Sequence, residues 1–262
     1  MKLHIRDIVA LNNELFWMKL RTKSMQRKIG GKPTVFVHGF NTNFEEAVLK
    51  AAQLGMDVGI GGCIGLFSWP SKGKKDSYLS DEETVDLSCE MFAQFIEDFV
   101  KNVEFEKINI IAHSMGCRCV IGAIEDLAVN RPEVLLKIDH IILVAADVNI
   151  HKMPKFLKYA VGPCERLTSY VSEDDIPLKI SSAVHSYRRV GLTPPPYVND
   201  GLDTVIVNKS EDAGQLSHGY ISRNRSVFND IFYLLKYNFP PSSRHALEEI
   251  SVDGKIAWKI RE

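Results

Sequence analysis

Ser114 ends a short apolar run, Ile108-Asn109-Ile110-Ile111-Ala112-His113, and is followed by Met115-Gly116 and a helical pattern. In that pattern Val120, Ile121, Ala123, Ile124 and Leu127 fall on one face at three-to-four spacing. A serine hydroxyl is a weak nucleophile until a base takes its proton, and a sharp strand-to-helix turn is the context that exposes it for this work. Such a turn strains the serine backbone and needs small neighbours two positions either side, so that strand and helix can approach closely. Ala112 and Gly116 meet that need, with Ala112 standing where glycine is the commoner residue. The chemistry predicted is nucleophilic attack on an acyl carbon.

That attack places negative charge on the former carbonyl oxygen, so donors must wait for it. Pro33-Thr34-Val35-Phe36-Val37 reads as a buried strand, and His38-Gly39 as the turn that ends it. The expected donors are the backbone N–H groups of Phe40, after that turn, and Met115, after the serine. Loss of one such donor typically costs about 10² to 10³ in rate.

The elements that position these turns alternate along the chain. An apolar-periodic helix is expected at about 8–29, a strand at 33–38, a helix at 43–56 and a strand at 64–67. A polar loop at 72–80 precedes one long helix at 82–103. Past the serine, strands are expected at 140–146, 167–171 and 204–207, then a helix at 222–239 stopped by Pro240-Pro241. The stretch 187–203, with Pro194-Pro195-Pro196, reads equally as a loop over the site or as plain surface. Continuous apolar strands alternating with helices indicate an α/β fold, a mainly parallel sheet with helices on both faces.

Composition narrows the classes. A chain of 262 residues is expected to form one domain over 1–262, with its core at about 33–239 and the N-terminal helix at about 8–29 and the tail 240–262 as appendages. The net charge of −1 and the lack of a basic run argue against a nucleic-acid partner. No apolar stretch reaches the roughly 18 residues of a transmembrane helix, and Lys2, His4, Arg6 and Asp7 break any secretory signal. Cys63, Cys89, Cys117, Cys119 and Cys164 are odd in number and widely spaced, so reduced thiols and a cytoplasmic location are expected.

The segments VFVHGFNTNFEEAV (35–48), FSWPSKG (67–73), IIAHSMGCR (110–118), AADV (145–148), TSYVSEDDIPLKIS (168–181), GLDTVIV (201–207) and SHGY (217–220) carry a resemblance. The chain resembles the α/β-hydrolase superfamily and, within it, the DUF900 group of serine hydrolases. The resemblance implies the α/β-hydrolase fold and hydrolase chemistry, and brings no defined substrate.

In that fold the chain order is serine, then Asp or Glu, then histidine. His218 lies in a polar loop between the last core strand and the last helix, where the resemblance puts the base; His185 is the other candidate. His38 and His113 belong to the two turns and are expected to be structural. For the acid, Asp175 follows strand 167–171 and matches the family spacing, with Asp147 at the end of the preceding strand and Asp174 as alternatives. Trp69 and Tyr78 are candidate substrate contacts at a pocket rim. The resulting expectation is a serine hydrolase acting on a small-molecule ester or thioester through an acyl-enzyme, with no metal and no cofactor. Acyl transfer on the same triad, or a non-catalytic binding protein of the same fold, stays open, as do oligomeric state and substrate.

Overall fold

A strand can be apolar along its whole length only where both faces of its sheet are covered. The computed structural model describes residues 3–26, 31–59, 63–102, 105–173, 175–207 and 225–261, and it has that arrangement. In chain order the elements are α1 (Asn13–Gln26), β1 (Thr34–Val37), α2 (Phe44–Asp57), β2 (Ile64–Phe67), α3 (Tyr78–Leu87), α4 (Cys89–Asn102) and β3 (Ile108–His113). They continue with α5 (Gly116–Asn130), α6 (Pro132–Leu135), β4 (Ile138–Val144), α7 (Met153–Ala160), β5 (Arg166–Ser172), α8 (Ile176–His185) and β6 (Asp203–Val207). The last are α9 (Arg225–Tyr237), β7 (Leu247–Val252) and β8 (Lys255–Ile260). The eight strands form one sheet ordered β2-β1-β3-β4-β5-β6-β8-β7. Every pair is parallel except β7 with β8.

Alternate strand residues feed two cores. Val35, Val37, Ile110, Ala112, Ile141 and Leu143 pack under α4, α5 and α7 on one face. Phe36, Ile111, Ile142 and Val144 pack under α2 and α9 on the other. Trp17 and Leu20 lay α1 against the first core. The chain runs from β1 outward to β2, then returns past β1 to β3 and proceeds the other way. Strand order therefore reverses between β1 and β3, and the crevice beyond their carboxyl ends is where open α/β sheets bind ligands. His38-Gly39 and Ser114 follow those two ends.

Three expectations are corrected. The helix expected at 82–103 is two helices broken at Ser88, whose hydroxyl donates to the Thr84 carbonyl at 2.7 Å and competes for that acceptor. The preceding loop is shorter than read, since α3 begins at Tyr78. The tail after Pro240 is not an appendage: β8 pairs with β6, and β7 closes the sheet edge beside it. Asp253 and Gly254, at φ 50° and 78°, make the two-residue turn between them. Arg244 ties this tail inward through Asp230 at 3.0 Å, and Asp230 also accepts from the buried Tyr170 hydroxyl at 2.6 Å. The stretch 187–203 is partly built into the sheet's carboxyl end. The Gly191 N–H donates to the Ala146 carbonyl and its carbonyl accepts from Ser172, both at 3.0 Å.

Candidate active site

Ser114 sits in the left-handed region at φ 54°, uncommon for a residue with a Cβ. Three backbone bonds hold it there. Its N–H donates to the Val144 carbonyl at 2.8 Å, and its carbonyl accepts from Cys117 at 3.0 Å and Asp147 at 3.2 Å. The turn is tight because glycine permits it. A Cβ on Gly116 would stand 2.3 Å from the His38 carbonyl oxygen, so only glycine lets α5 start this close to the end of β1. A Cβ on Gly39 would stand 2.8 Å from both the Ser114 Cβ and His113 Nδ1. The His38-Gly39 turn is thereby pressed against the serine, and Asn41 at φ 52° completes its bend.

The N–H groups of Phe40 and Met115 flank Ser114 along these two turns. Neither donates to a protein acceptor among the described residues. Met115 is fully buried, and a buried N–H without a partner is rare enough to ask for a functional reason.

His38 braces the first turn, as its place in the sequence suggested. Its Nδ1 meets the Gly39 carbonyl at 2.9 Å, and its Nε2 meets the Trp69 carbonyl at 3.1 Å and the Ser68 hydroxyl at 3.2 Å. Burial pushes its pKa below the usual histidine value, so a neutral ring sits in the turn. Trp69 departs from its expected place at the rim. It is 1% exposed, stacks on the His38 ring at 5.1 Å and donates its indole N–H to the His38 carbonyl at 2.7 Å. It supports the turn from beneath.

Tyr78 is half-buried, and its ring meets Phe40 edge-on at 5.3 Å. Its hydroxyl, however, is committed elsewhere: it donates to Asp147 Oδ2 at 2.6 Å and lies 2.7 Å from the Ser181 hydroxyl. Burial and the neighbouring Asp147 carboxylate push its pKa well up. Asp147 Oδ1 accepts from the Ser181 hydroxyl at 2.6 Å and faces Arg189 Nε at 3.1 Å. Asp147 and Arg189 are both buried, so this is an ion pair taken out of water. Both Asp147 oxygens are engaged in a network joining the end of β4 to α3, α8 and the 187–203 stretch.

Asp175 follows β5, is fully buried, and caps α8 by accepting the Leu178 N–H at 3.0 Å on Oδ1. His218 and Asp174 lie outside the described residues. His185, the histidine passed over, pairs with Glu82 at 2.8 Å and meets the Ser181 carbonyl at 3.0 Å. Arg118 donates to the same Glu82 carboxylate. The structure thus brings Ser114, Phe40 and Met115 together, and places Trp69 behind them. Among the described residues no three His, Cys, Asp or Glu side chains converge as metal ligands, and no helix is long and apolar enough to cross a membrane.

Sequence reasoning missed Ser181 and Arg189 and weighed Tyr78 only as a substrate contact. The residues that meet at Asp147 come from separate segments, and no motif spacing could have joined them.

No curated protein matches the chain. Among solved structures, the lin2722 gene product of Listeria innocua is similar at 12% identity, covering 88% of this chain and 99% of its own, with a TM-score of 0.45. A cutinase from Trichoderma reesei in complex with a phosphonate inhibitor has 12% identity, coverages of 82% and 87%, and a TM-score of 0.36. The carboxylesterase CesB from Bacillus subtilis has 8% identity, coverages of 88% and 100%, and a TM-score of 0.36. A family model described as an alpha/beta hydrolase of unknown function, DUF900, matches residues 17–235. With most of the chain inside that match, and a parallel sheet carrying its serine turn at the switch point, the chain belongs to the DUF900 family of α/β-hydrolases.

Proposed function

We propose that the protein is a metal-independent serine hydrolase of esters or thioesters. Ser114 attacks the acyl carbon while His218 takes its proton, and the N–H groups of Phe40 and Met115 receive the oxyanion. The tetrahedral intermediate expels the alcohol or thiol, which takes the proton back from His218. Water, activated by the same histidine, then releases the acid from the acyl-enzyme. Asp175 holds the imidazole. The single observation that carries this reading is the strained Ser114 turn at the switch point, flanked by two backbone donors without protein acceptors among the described residues.

The choice of Asp175 rests on two supports. It is a buried carboxylate after the second strand beyond Ser114, and the base is expected after the third. Asp147 is already engaged on both oxygens, in part by a buried arginine, and a role there as orienting acid would mean giving up those partners. A panel of acyl esters and thioesters of graded chain length, assayed with wild type and Ser114→Ala, tests the reading. Turnover of at least one class that falls about 10⁴-fold in the variant is expected. A folded wild type that turns over none of them, or a variant that keeps more than a few per cent of the rate, contradicts it.

A further inference from the structure

The five cysteines are not equivalent. Cys117 and Cys164 are buried, and burial pushes both thiols up, Cys164 to about 12. They are poor nucleophiles. Cys89 differs in three respects. It is half-buried, it opens α4, and it faces a second cysteine. The first residue of a helix lies in the positive end of the helix dipole, which favours a thiolate.

The second cysteine is Cys119, on α5. The contacts between the two are reciprocal. Cys89 Sγ reaches the Arg118 carbonyl, the one just before Cys119, at 3.9 Å. Cys119 Sγ reaches the Ser88 carbonyl, just before Cys89, at 3.6 Å. The neighbouring Cys119 thiol holds Cys89 below the ordinary thiol value, and the Cys89 thiol together with burial pushes Cys119 well above it. Room for this pairing comes from Gly122. A Cβ there would stand 2.5 Å from Cys89 Sγ, so the Cys89 side chain lies in a notch that only glycine leaves on α5.

We propose that Cys89 is an oxidation site with Cys119 as its resolving thiol, so that hydrogen peroxide converts the pair to a Cys89–Cys119 disulfide joining α4 to α5. The Cys89 thiolate attacks one peroxide oxygen, the O–O bond breaks, and a sulfenic acid and hydroxide result. Hydroxide takes a proton to become water. Cys119 sulfur then attacks the sulfenic sulfur, an S–S bond forms, the S–O bond breaks, and the hydroxyl leaves with the Cys119 proton as a second water. Two thiols lose two electrons, and the peroxide gains them. Cys119 is buried and stays out of reach of the oxidant until Cys89 has reacted, which fixes the order of the steps. The inference stands on the packing of α4 on α5 and does not depend on the function of Ser114.

The test is peptide mapping of the full chain after reduction, removal of the reductant and exposure to hydrogen peroxide. The wild type is expected to yield a cross-linked pair of peptides joined through Cys89 and Cys119, reversed by reductant, while Cys117 and Cys164 remain free for alkylation after unfolding. In Cys119→Ala, dimedone should capture Cys89 as the sulfenic acid. In Cys89→Ser, Cys119 should keep its thiol. Wild type in which Cys89 proceeds to dimedone adduct or sulfinic acid without the cross-link overturns the assignment of Cys119. Wild type in which Cys89 reacts no faster than Cys164 overturns the site altogether. The wild-type mapping decides both even if a variant fails to fold.

Discussion

Gly116→Ala probes the packing on which the candidate site depends. The new Cβ would lie 2.3 Å from the His38 carbonyl oxygen, 2.9 Å from the Val37 carbonyl oxygen and 3.1 Å from the His38 carbonyl carbon. All three are backbone atoms, so no flexible side chain can yield. Ordinary contact begins near 3.4 Å, so the start of α5 and the end of β1 must part by about 1 Å. Overpacking of this kind costs about 1–3 kcal/mol, which lowers the melting temperature by roughly 2–4 °C per kcal/mol in a chain of this size. The same movement separates Ser114 from the His38-Gly39 turn. A misplacement of about 1 Å can cost about 10²-fold in turnover. The assay pairs thermal melting with kcat on the best ester from the graded panel. Gly254→Ala serves as the control: its Cβ meets nothing within 4 Å, and only its left-handed φ of 78° is penalised, in the hairpin turn far from Ser114. It should lose about 1 kcal/mol and keep its kcat. A Gly116→Ala protein with unchanged melting and unchanged kcat refutes the close approach and the catalytic geometry built on it.

The carboxylates separate in a parallel experiment. Asn also caps helices, so Asp175→Asn should leave α8 and the melting temperature nearly intact while slowing turnover by up to about 10⁴-fold. Asp147→Asn should do the reverse, with a loss of about 3–5 kcal/mol from the stranded Arg189. Stability should also fall on acidification. His140 is buried in β4, and desolvation holds its pKa at about 4 despite the neighbouring Asp139 carboxylate. The unfolded chain, with an ordinary histidine near 6.5, binds this proton first, so the native state loses up to about 3 kcal/mol as pH drops from 6.5 to 4. Denaturant titrations across that range should show a smaller slope in His140→Gln; an equal slope would place the acid sensitivity elsewhere.

The parts of this molecule legible from its sequence are those written in contiguous residues. The strands of the parallel core are unbroken apolar runs, and the Ala112–Gly116 turn carries its small neighbours within two positions of Ser114. Asn43 and Glu46 likewise form the capping box that starts α2. The break at Ser88 escaped because one residue with helical angles, φ −83° and ψ −5°, scarcely disturbs the apolar period. The β7–β8 hairpin had a local signal, Asp253-Gly254 between alternating residues, but its membership of the sheet depends on β6, more than forty positions upstream. Trp69 was misplaced because a tryptophan after a strand end serves a rim or a brace equally well. Only the His38 ring and carbonyl decide between them. The Asp147 network was illegible for the same reason, since Tyr78, Ser181 and Arg189 meet it only in three dimensions.

The central claim is that Ser114 is an activated nucleophile. The most direct measurement is intact-protein mass spectrometry, followed by peptide mapping, after incubation with a fluorophosphonate at neutral pH. One covalent adduct on the peptide carrying Ser114 is predicted, absent from a folded Ser114→Ala protein and slowed in Asp175→Asn. No adduct on a folded wild-type protein, or an adduct on a different residue, would contradict the account.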